Sequence, residues 1–277
     1  MATQALLALG LLVYYWTLKR PARAAALYAM PKRRGLWETK VGRKWLSYFL
    51  PNDAAPEHVS GQIDLDTFQK GQLSDSPVVR GDALILGAKR LLDVICSLAL
   101  LAFMLPLLII TSIVIRVDSP GPVFYKQSRV GKNGKLFNVI KFRSMRLDAE
   151  KTGAQWATKS DPRVTRVGRF IRKTRIDEIP QAWNVLIGEM SFVGPRPERP
   201  EFTRKLDQQI PFYNDRHLVK PGLTGWAQVN YPYGASVEDA FEKQRLDLYY
   251  MKNFSLLLDL FIIIRTLRVA VKGVGSR

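Results

Sequence analysis

Of 277 residues, 47% are apolar, so a packed core is within reach and disorder is not the default. Forty-two Lys and Arg against 24 Asp and Glu leave a net charge of +18. That balance favours anionic partners, whether nucleic acid, acidic lipid headgroups or a phosphorylated substrate, without choosing among them. Cys96 is the one cysteine, and His58 and His217 are the two histidines. An internal disulfide framework is therefore excluded, a zinc site lacks ligands, and catalysis is pushed toward carboxylates.

In chain order, residues 5–18 form a short apolar stretch followed by nine Lys or Arg between Lys19 and Lys44. With the four residues before it this segment is just long enough to serve as a membrane anchor whose C-terminal end stays in the cytoplasm. Charge that follows the apolar run speaks against a secretory signal peptide. Residues 51–80 are polar, with scattered Pro, Gly, Asp and Ser and no sustained period, as in a linker or loop. Three regions follow: an N-terminal hydrophobic segment (1–20), a basic stretch and linker (21–83), and a main domain (84–277).

The 22 residues of 94–115 carry no charge, enough to cross a hydrocarbon core of about 30 Å. Lys89 and Arg90 lie before this run, and Arg116, Lys126, Arg129, Lys132 and Lys135 lie after it. Basic flanks prefer the cytoplasm, so both ends want the same side. Pro106 removes a backbone donor in the middle. A bent helix over 91–115 that enters and leaves by one face meets these demands better than a straight span or a buried helix.

Residues 122–130 and 135–142 are rich in β-branched and aromatic residues and meet around Asn133-Gly134, which predicts a β-hairpin. Helices are predicted over 164–173 and 180–186. Near the C-terminus, Leu256, Leu257, Leu260, Ile263, Ile264, Leu267 and Val271 recur at helical spacing among Arg265, Arg268 and Lys272, a pattern suited equally to a membrane-interface helix and to a core-facing one. The expected class is α+β: a membrane-associated, mostly helical catalytic domain with a β-hairpin and a Pro-broken re-entrant helix.

Asp177 and Glu178 follow the basic stretch Arg172-Lys173-Thr174-Arg175 and precede the helix expected at Pro180. Guanidinium groups and helix N–H groups favour the ionised form, so at least one carboxylate is expected as an anion able to attack phosphorus or bind Mg²⁺. An isolated Asp-Glu pair more often merely caps a helix and offsets neighbouring arginines. Here Gly188 to Pro197, rich in Gly and Pro, forms a stiff loop presenting Arg196, suited to bidentate phosphate binding. Lys141 and Arg143 offer further cationic charge, although each alone is more often a solvated surface residue. Asp64 and Asp66 form an Asp-x-Asp pattern, common by chance and placed in the linker. His217 reads as a structural hydrogen-bonding residue, and Cys96 as a small packing residue.

Five separated motifs carry a resemblance that covers about seven tenths of the chain. They are Lys89-Arg90-Leu91-Leu92-Asp93, Lys141-Phe142-Arg143-Ser144-Met145, Asp177-Glu178-Ile179-Pro180-Gln181, Phe192-Val193-Gly194-Pro195-Arg196-Pro197, and Pro221-Gly222-Leu223-Thr224-Gly225-Trp226. Together they resemble the bacterial sugar transferase family, the monotopic polyprenyl-phosphate phosphoglycosyltransferases, while Leu246-Asp247-Leu248-Tyr249-Tyr250 and Glu198-Arg199-Pro200-Glu201-Phe202 look most like the members that begin exopolysaccharide or O-antigen repeat units.

The resemblance implies that Asp177 attacks the sugar-bearing phosphorus of a UDP-sugar, releasing UMP, and that polyprenyl phosphate then displaces the phosphosugar. It implies Glu178 as the Mg²⁺ ligand and Lys141, Arg172 and Arg196 as phosphate-binding residues, with Asp247 a weaker member of that substrate site. It also implies a re-entrant helix holding the domain at the cytoplasmic face of the bacterial inner membrane, against membrane lipid, with no nucleic-acid partner; a homodimer is compatible with it. Two readings stay open beside this one: a basic membrane-associated scaffold, and a conventional glycosyltransferase acting through Asp64 and Asp66 and releasing UDP.

Overall fold

The computed structural model describes residues 61–151, 153, 161–231, 234 and 236–272, with side chains to 267. The apolar segment 5–18 and the basic stretch after it lie outside the described residues. One helix, α1 (Ala83–Asp118), dominates. Asp82 caps it by accepting from the N–H groups of Leu84 and Ile85 at 3.1 and 3.2 Å. At 36 residues it is about 54 Å long.

Pro106 lies inside α1 without ending it. Helical structure runs on both sides of Pro106, so the missing N–H removes a single rung without interrupting the element. Most of the middle of α1 is exposed, with Ile95, Leu98, Phe103, Leu105, Ile109 and Ile110 all open, and α1 is long and apolar enough to cross a membrane. Such a surface has no favourable contact with water.

Both ends of α1 are fastened to the body. Near its start, Lys89 Nζ donates to Asp259 Oδ2 at 2.6 Å and to the Val193 carbonyl at 3.0 Å. Arg90 reaches the carbonyls of Val185 and Leu186, and Asp93 accepts from Ser191 Oγ and the Phe192 N–H. Near its end, Ile115 packs with Phe142 and Ile171, and Leu108 and Val123 close over them. Arg143 then grips the carbonyls of Ser119 and Pro120 at 2.7 Å.

Strands β1 (Phe124–Val130) and β2 (Leu136–Phe142) pair antiparallel, Val130 facing Leu136. Asn133 and Gly134 turn the chain at φ 56° and 75°, the left-handed region that Asn and Gly enter most easily. After β2 come α2 (Arg166–Lys173), a 3₁₀ turn (Ile176–Gln181) and α3 (Ala182–Leu186). Strand β3 (Ser191–Val193) pairs in parallel with β4 (Gly222–Thr224). A Cβ on Gly222 would stand 2.1 Å from the Gly194 nitrogen, so two of the sequence motifs interlock as neighbouring backbones.

Helices α4 (Pro200–Asp207), α5 (Trp226–Asn230), α6 (Val237–Lys252) and α7 (Leu256–Lys272) complete the body. Helix α6 opens with a reciprocal Ser236–Asp239 cap and buries Leu246, Leu248, Tyr249, Tyr250 and Met251. Helix α7 turns Leu258, Asp259 and Ile262 inward and leaves Leu257, Leu260, Ile264 and Leu267 exposed.

The linker reading is corrected from residue 61 onward. Ile63, Leu65, Phe68, Leu73 and Val78 are buried. Trp226 Nε1 donates to the Gly61 carbonyl, Ile63 and Arg245 exchange hydrogen bonds, and Ser76 Oγ donates to the Met251 carbonyl. The segment runs over α6 as turns and short helices, so its apolar residues follow no single period.

Candidate active site

Asp177 and Glu178 sit in the 3₁₀ turn between α2 and α3. Thr165 caps the start of α2 through the Gly168 N–H, and Arg175 ends the connection at φ 58°. A Cβ on Gly168 would fall 1.9 Å from the Ser144 carbonyl oxygen. Glycine there is what lets α2 press against the segment that continues from β2. The carboxylates thus stand in the turn that leads into α3, one turn ahead of the helix itself.

The two acids have different surroundings. Glu178 pairs with Arg196 through both of its oxygens, with Lys141 Nζ at 3.4 Å and with Arg175 Nη1 at 3.7 Å. Although burial works against its charge, Arg196 and Lys141 hold Glu178 well below the usual carboxylate range. Asp177 accepts no hydrogen bond among the described residues. Burial, and then the charge of Glu178, push its pKa up to about 6, while Lys141, Arg172 and Arg196 pull the other way. The anion expected at this pair is Glu178 first, and Asp177 ionises above about pH 6.

Lys141, at the end of β2, is buried and surrounded by other cations, which bring its pKa down to about 8 against the pull of Glu178. Arg196 follows β3 in the Gly-Pro-Arg-Pro loop, and Arg216 Nη2 donates to its carbonyl at 3.0 Å. Arg172 contributes its charge to Asp177 from the end of α2. Lys141, Arg172, Asp177, Glu178 and Arg196 therefore converge from four separate stretches of chain.

Other residues named from the sequence stand elsewhere. Asp247 is 2% exposed and accepts from Arg216 Nη2 at 2.7 Å. It makes no contact with the carboxylate pair and instead holds the arginine that holds the Arg196 backbone. Arg143 lies just past the end of β2, and its guanidinium is engaged by Pro120 and Ser119 at the end of α1 instead of by the carboxylate pair. Asp64 and Asp66 close a small exposed turn on each other. Among the described residues no cluster of three or more His, Cys, Asp or Glu is placed to hold a metal. His217 has its pKa lowered to about 4 by burial and by Arg216, so it is neutral at physiological pH. Cys96 is half-buried on α1.

Two arginines that the sequence pattern does not single out complete the site. Arg129 on β1 donates to the Pro197 carbonyl at 3.1 Å and faces Glu198 at 3.7 Å. Arg216 joins Tyr213, Asp247 and the Arg196 carbonyl. Both brace the Pro-rich loop through its backbone, a role invisible in one-dimensional spacing. Alternation along β1 was the one available signal for Arg129.

Comparison with known proteins identifies the family. The sequence pattern described as bacterial sugar transferase matches residues 85–273. A protein of Aeromonas hydrophila named UDP-N-acetylgalactosamine-undecaprenyl-phosphate N-acetylgalactosaminephosphotransferase is 45% identical over 224 residues, 80% of this chain and 52% of that protein. One of Xanthomonas campestris pv. campestris, named UDP-glucose:undecaprenyl-phosphate glucose-1-phosphate transferase, is 44% identical over 69% of this chain and 39% of its own length. An exopolysaccharide production protein of Rhizobium leguminosarum bv. phaseoli is 42% identical over 64% of this chain and 92% of its own. The chain spans about half the length of the first of these and less of the second. With more than half of its length matched by the family pattern, the chain belongs to the bacterial sugar transferase family.

Proposed function

We propose that the protein transfers a sugar 1-phosphate from a UDP-sugar to undecaprenyl phosphate, starting the assembly of an exopolysaccharide or O-antigen glycan. The observation that carries this reading is the division of labour in the pair: Glu178 is tied to three cations while its neighbour Asp177 accepts no hydrogen bond among the described residues. A carboxylate oxygen of Asp177 attacks the sugar-bearing phosphorus, the bond to the second phosphate breaks, and UMP leaves. An oxygen of the lipid phosphate then attacks the same phosphorus, releasing the Asp177 carboxylate and forming the lipid diphosphosugar. Lys141, Arg172 and Arg196 face the phosphates and offset their charge. The relatives named above support donor and acceptor, since their names specify UDP-sugars and undecaprenyl phosphate.

The donor set suits Mg²⁺ in kind. A pair of carboxylates with no third acid fits an ion that takes one or two protein oxygens and completes its shell with phosphate and water. Glu178 would hold it beside Asp177, and when bound it would neutralise charge on the diphosphate.

Helix α1 would enter and leave the membrane by one face. Support comes from its two ends, both fastened to the same body, Lys89 and Asp93 at one and Ile115 and Ser119 at the other, with apolar surface exposed between. A span would carry those ends to opposite sides of about 30 Å of hydrocarbon. The catalytic body would then rest on the cytoplasmic face of the inner membrane, where a soluble donor meets a lipid acceptor.

Product analysis tests the reading. Purified protein with Mg²⁺, UDP-sugar and undecaprenyl phosphate is expected to release UMP and form a lipid-linked diphosphosugar. Release of UDP would identify a conventional glycosyltransferase, and strong nucleic-acid binding without transfer would identify a scaffold.

A further inference from the structure

A cavity of about 160 Å³ opens where the start of α1 meets β3, the β1–β2 turn and the residues ahead of β4. It contains none of the five residues that converge on the carboxylate pair. Four cations line it: Lys89, Arg90, Lys132 and Lys220. Asp93 is the one carboxylate in its wall.

The charges inside do not balance. Lys89 is matched by Asp259, and Asp93 is engaged by Ser191 Oγ and the Phe192 N–H. Arg90 rests on two neutral carbonyls at the end of α3. The side-chain ammonium groups of Lys132 and Lys220 have no hydrogen bond or ion pair among the described residues. The position a Cβ on Gly188 would occupy lies 3.5 Å from Lys220 Nζ and 3.8 Å from Arg90 Nη2, so these two like charges share the space above that glycine. Their mutual repulsion, added to burial, lowers the Lys220 pKa. Like charges brought together without a counter-ion cost free energy that a bound anion would recover. The rest of the wall combines Ser191 and Tyr250 with an apolar part that includes Val78 and Leu86, at and just before the start of α1.

We propose that this cavity is a second anion site, taking a phosphate group on Lys132, Lys220 and Arg90, with Val78 and Leu86 against an apolar stem. The phosphate comes either from a lipid headgroup or from solution. The site is independent of the transferase reading, and its test involves no turnover.

Calorimetric titration of the full chain in neutral detergent distinguishes the sources, using inorganic phosphate in one series and a short-chain phosphatidic acid in the other. Binding is expected to weaken about tenfold or more in Lys132→Gln/Lys220→Gln and to persist in Lys141→Gln, which disables the carboxylate crevice instead. Saturable binding of both ligands with that pattern assigns a phosphate site open to solution. Binding of the phosphatidic acid alone with that pattern assigns a lipid headgroup site. Neither lysine has a partner to lose, so the double variant is expected to keep the wild-type unfolding midpoint; should it not, Lys220→Gln alone serves, with the same pattern expected. Equal affinity in wild type and lysine variants, loss only in Lys141→Gln, or no saturable binding to wild type would overturn the proposal.

Discussion

Two carboxylate–arginine pairs stand close together in this molecule and do different work. Glu178 and Arg196 meet at the crevice, where Lys141 and Arg175 crowd the same carboxylate. Asp247 and Arg216 meet inside the body, 2% and 4% exposed, with Tyr213 stacked on the guanidinium. Several cations hold Glu178 well below the usual range, whereas burial raises Asp247 to about 6 against a single close arginine. The number of cations per carboxylate, more than burial, separates the acid crowded by cations from the structural clasp. Arg216 connects them, because it also holds the Arg196 carbonyl.

Substitutions can break the comparison. Glu178→Gln is expected to lower kcat/KM by about a hundredfold or more with the fold retained, since Arg196 and Lys141 lose the anion that orients them. Steady-state kinetics with circular dichroism checks this; wild-type Mg²⁺ dependence in that variant would remove Glu178 from metal binding. Lys141→Gln is expected to cost about ten- to a hundredfold, chiefly in KM for the nucleotide sugar, as a charge-assisted phosphate contact is lost.

Asp247→Asn is expected to act on stability first, by about 3–5 kcal/mol, because it leaves Arg216 buried and unpaired. Replacing both partners, as Arg216→Met/Asp247→Leu, is expected to return most of that stability while activity stays low, since the Arg196 carbonyl has lost its donor. Chemical denaturation beside kinetics separates the two effects.

The acid limb of the rate profile sharpens the same contrast. With Asp177 at about 6, kcat/KM is expected to fall about tenfold per unit as pH drops below 6, the carboxylate being protonated there. Stability runs the other way. A carboxyl raised in the folded state contributes most below its unfolded pKa of about 3.9, and that contribution is lost as pH rises through about 6. Asp177→Asn is therefore expected to raise the unfolding midpoint slightly above pH 6, by about 1 kcal/mol, while abolishing turnover. An unchanged midpoint across pH 4 to about 8 in both proteins would show that burial does not strain this acid.

Much of the frame was legible in one dimension. Asn133-Gly134 announced the paired strands, the uncharged run marked α1, and the carboxylate pair stood out because basic residues preceded it. What was not legible depended on long-range packing. The turns over 61–80 look polar and aperiodic, yet their apolar residues are buried one at a time as the segment crosses α6. Arg143 shares a motif with Lys141, but it lies beyond the last residue of β2 and its guanidinium is taken up by the carbonyls after α1. Asp247 was a candidate through its motif position alone, and its pairing with Arg216, 31 residues away, is made only by the fold. Lys132 and Lys220, remote in sequence, meet only because the β1–β2 turn reaches the residues before β4.

The central claim is a covalent bond to Asp177. Protein incubated with Mg²⁺ and UDP-sugar in the absence of lipid acceptor, then quenched and digested, is predicted to carry a phosphosugar on the peptide containing Asp177 by mass spectrometry, with UMP released in equal amount. An adduct on a different side chain, or UMP release with no adduct at all, would contradict the account.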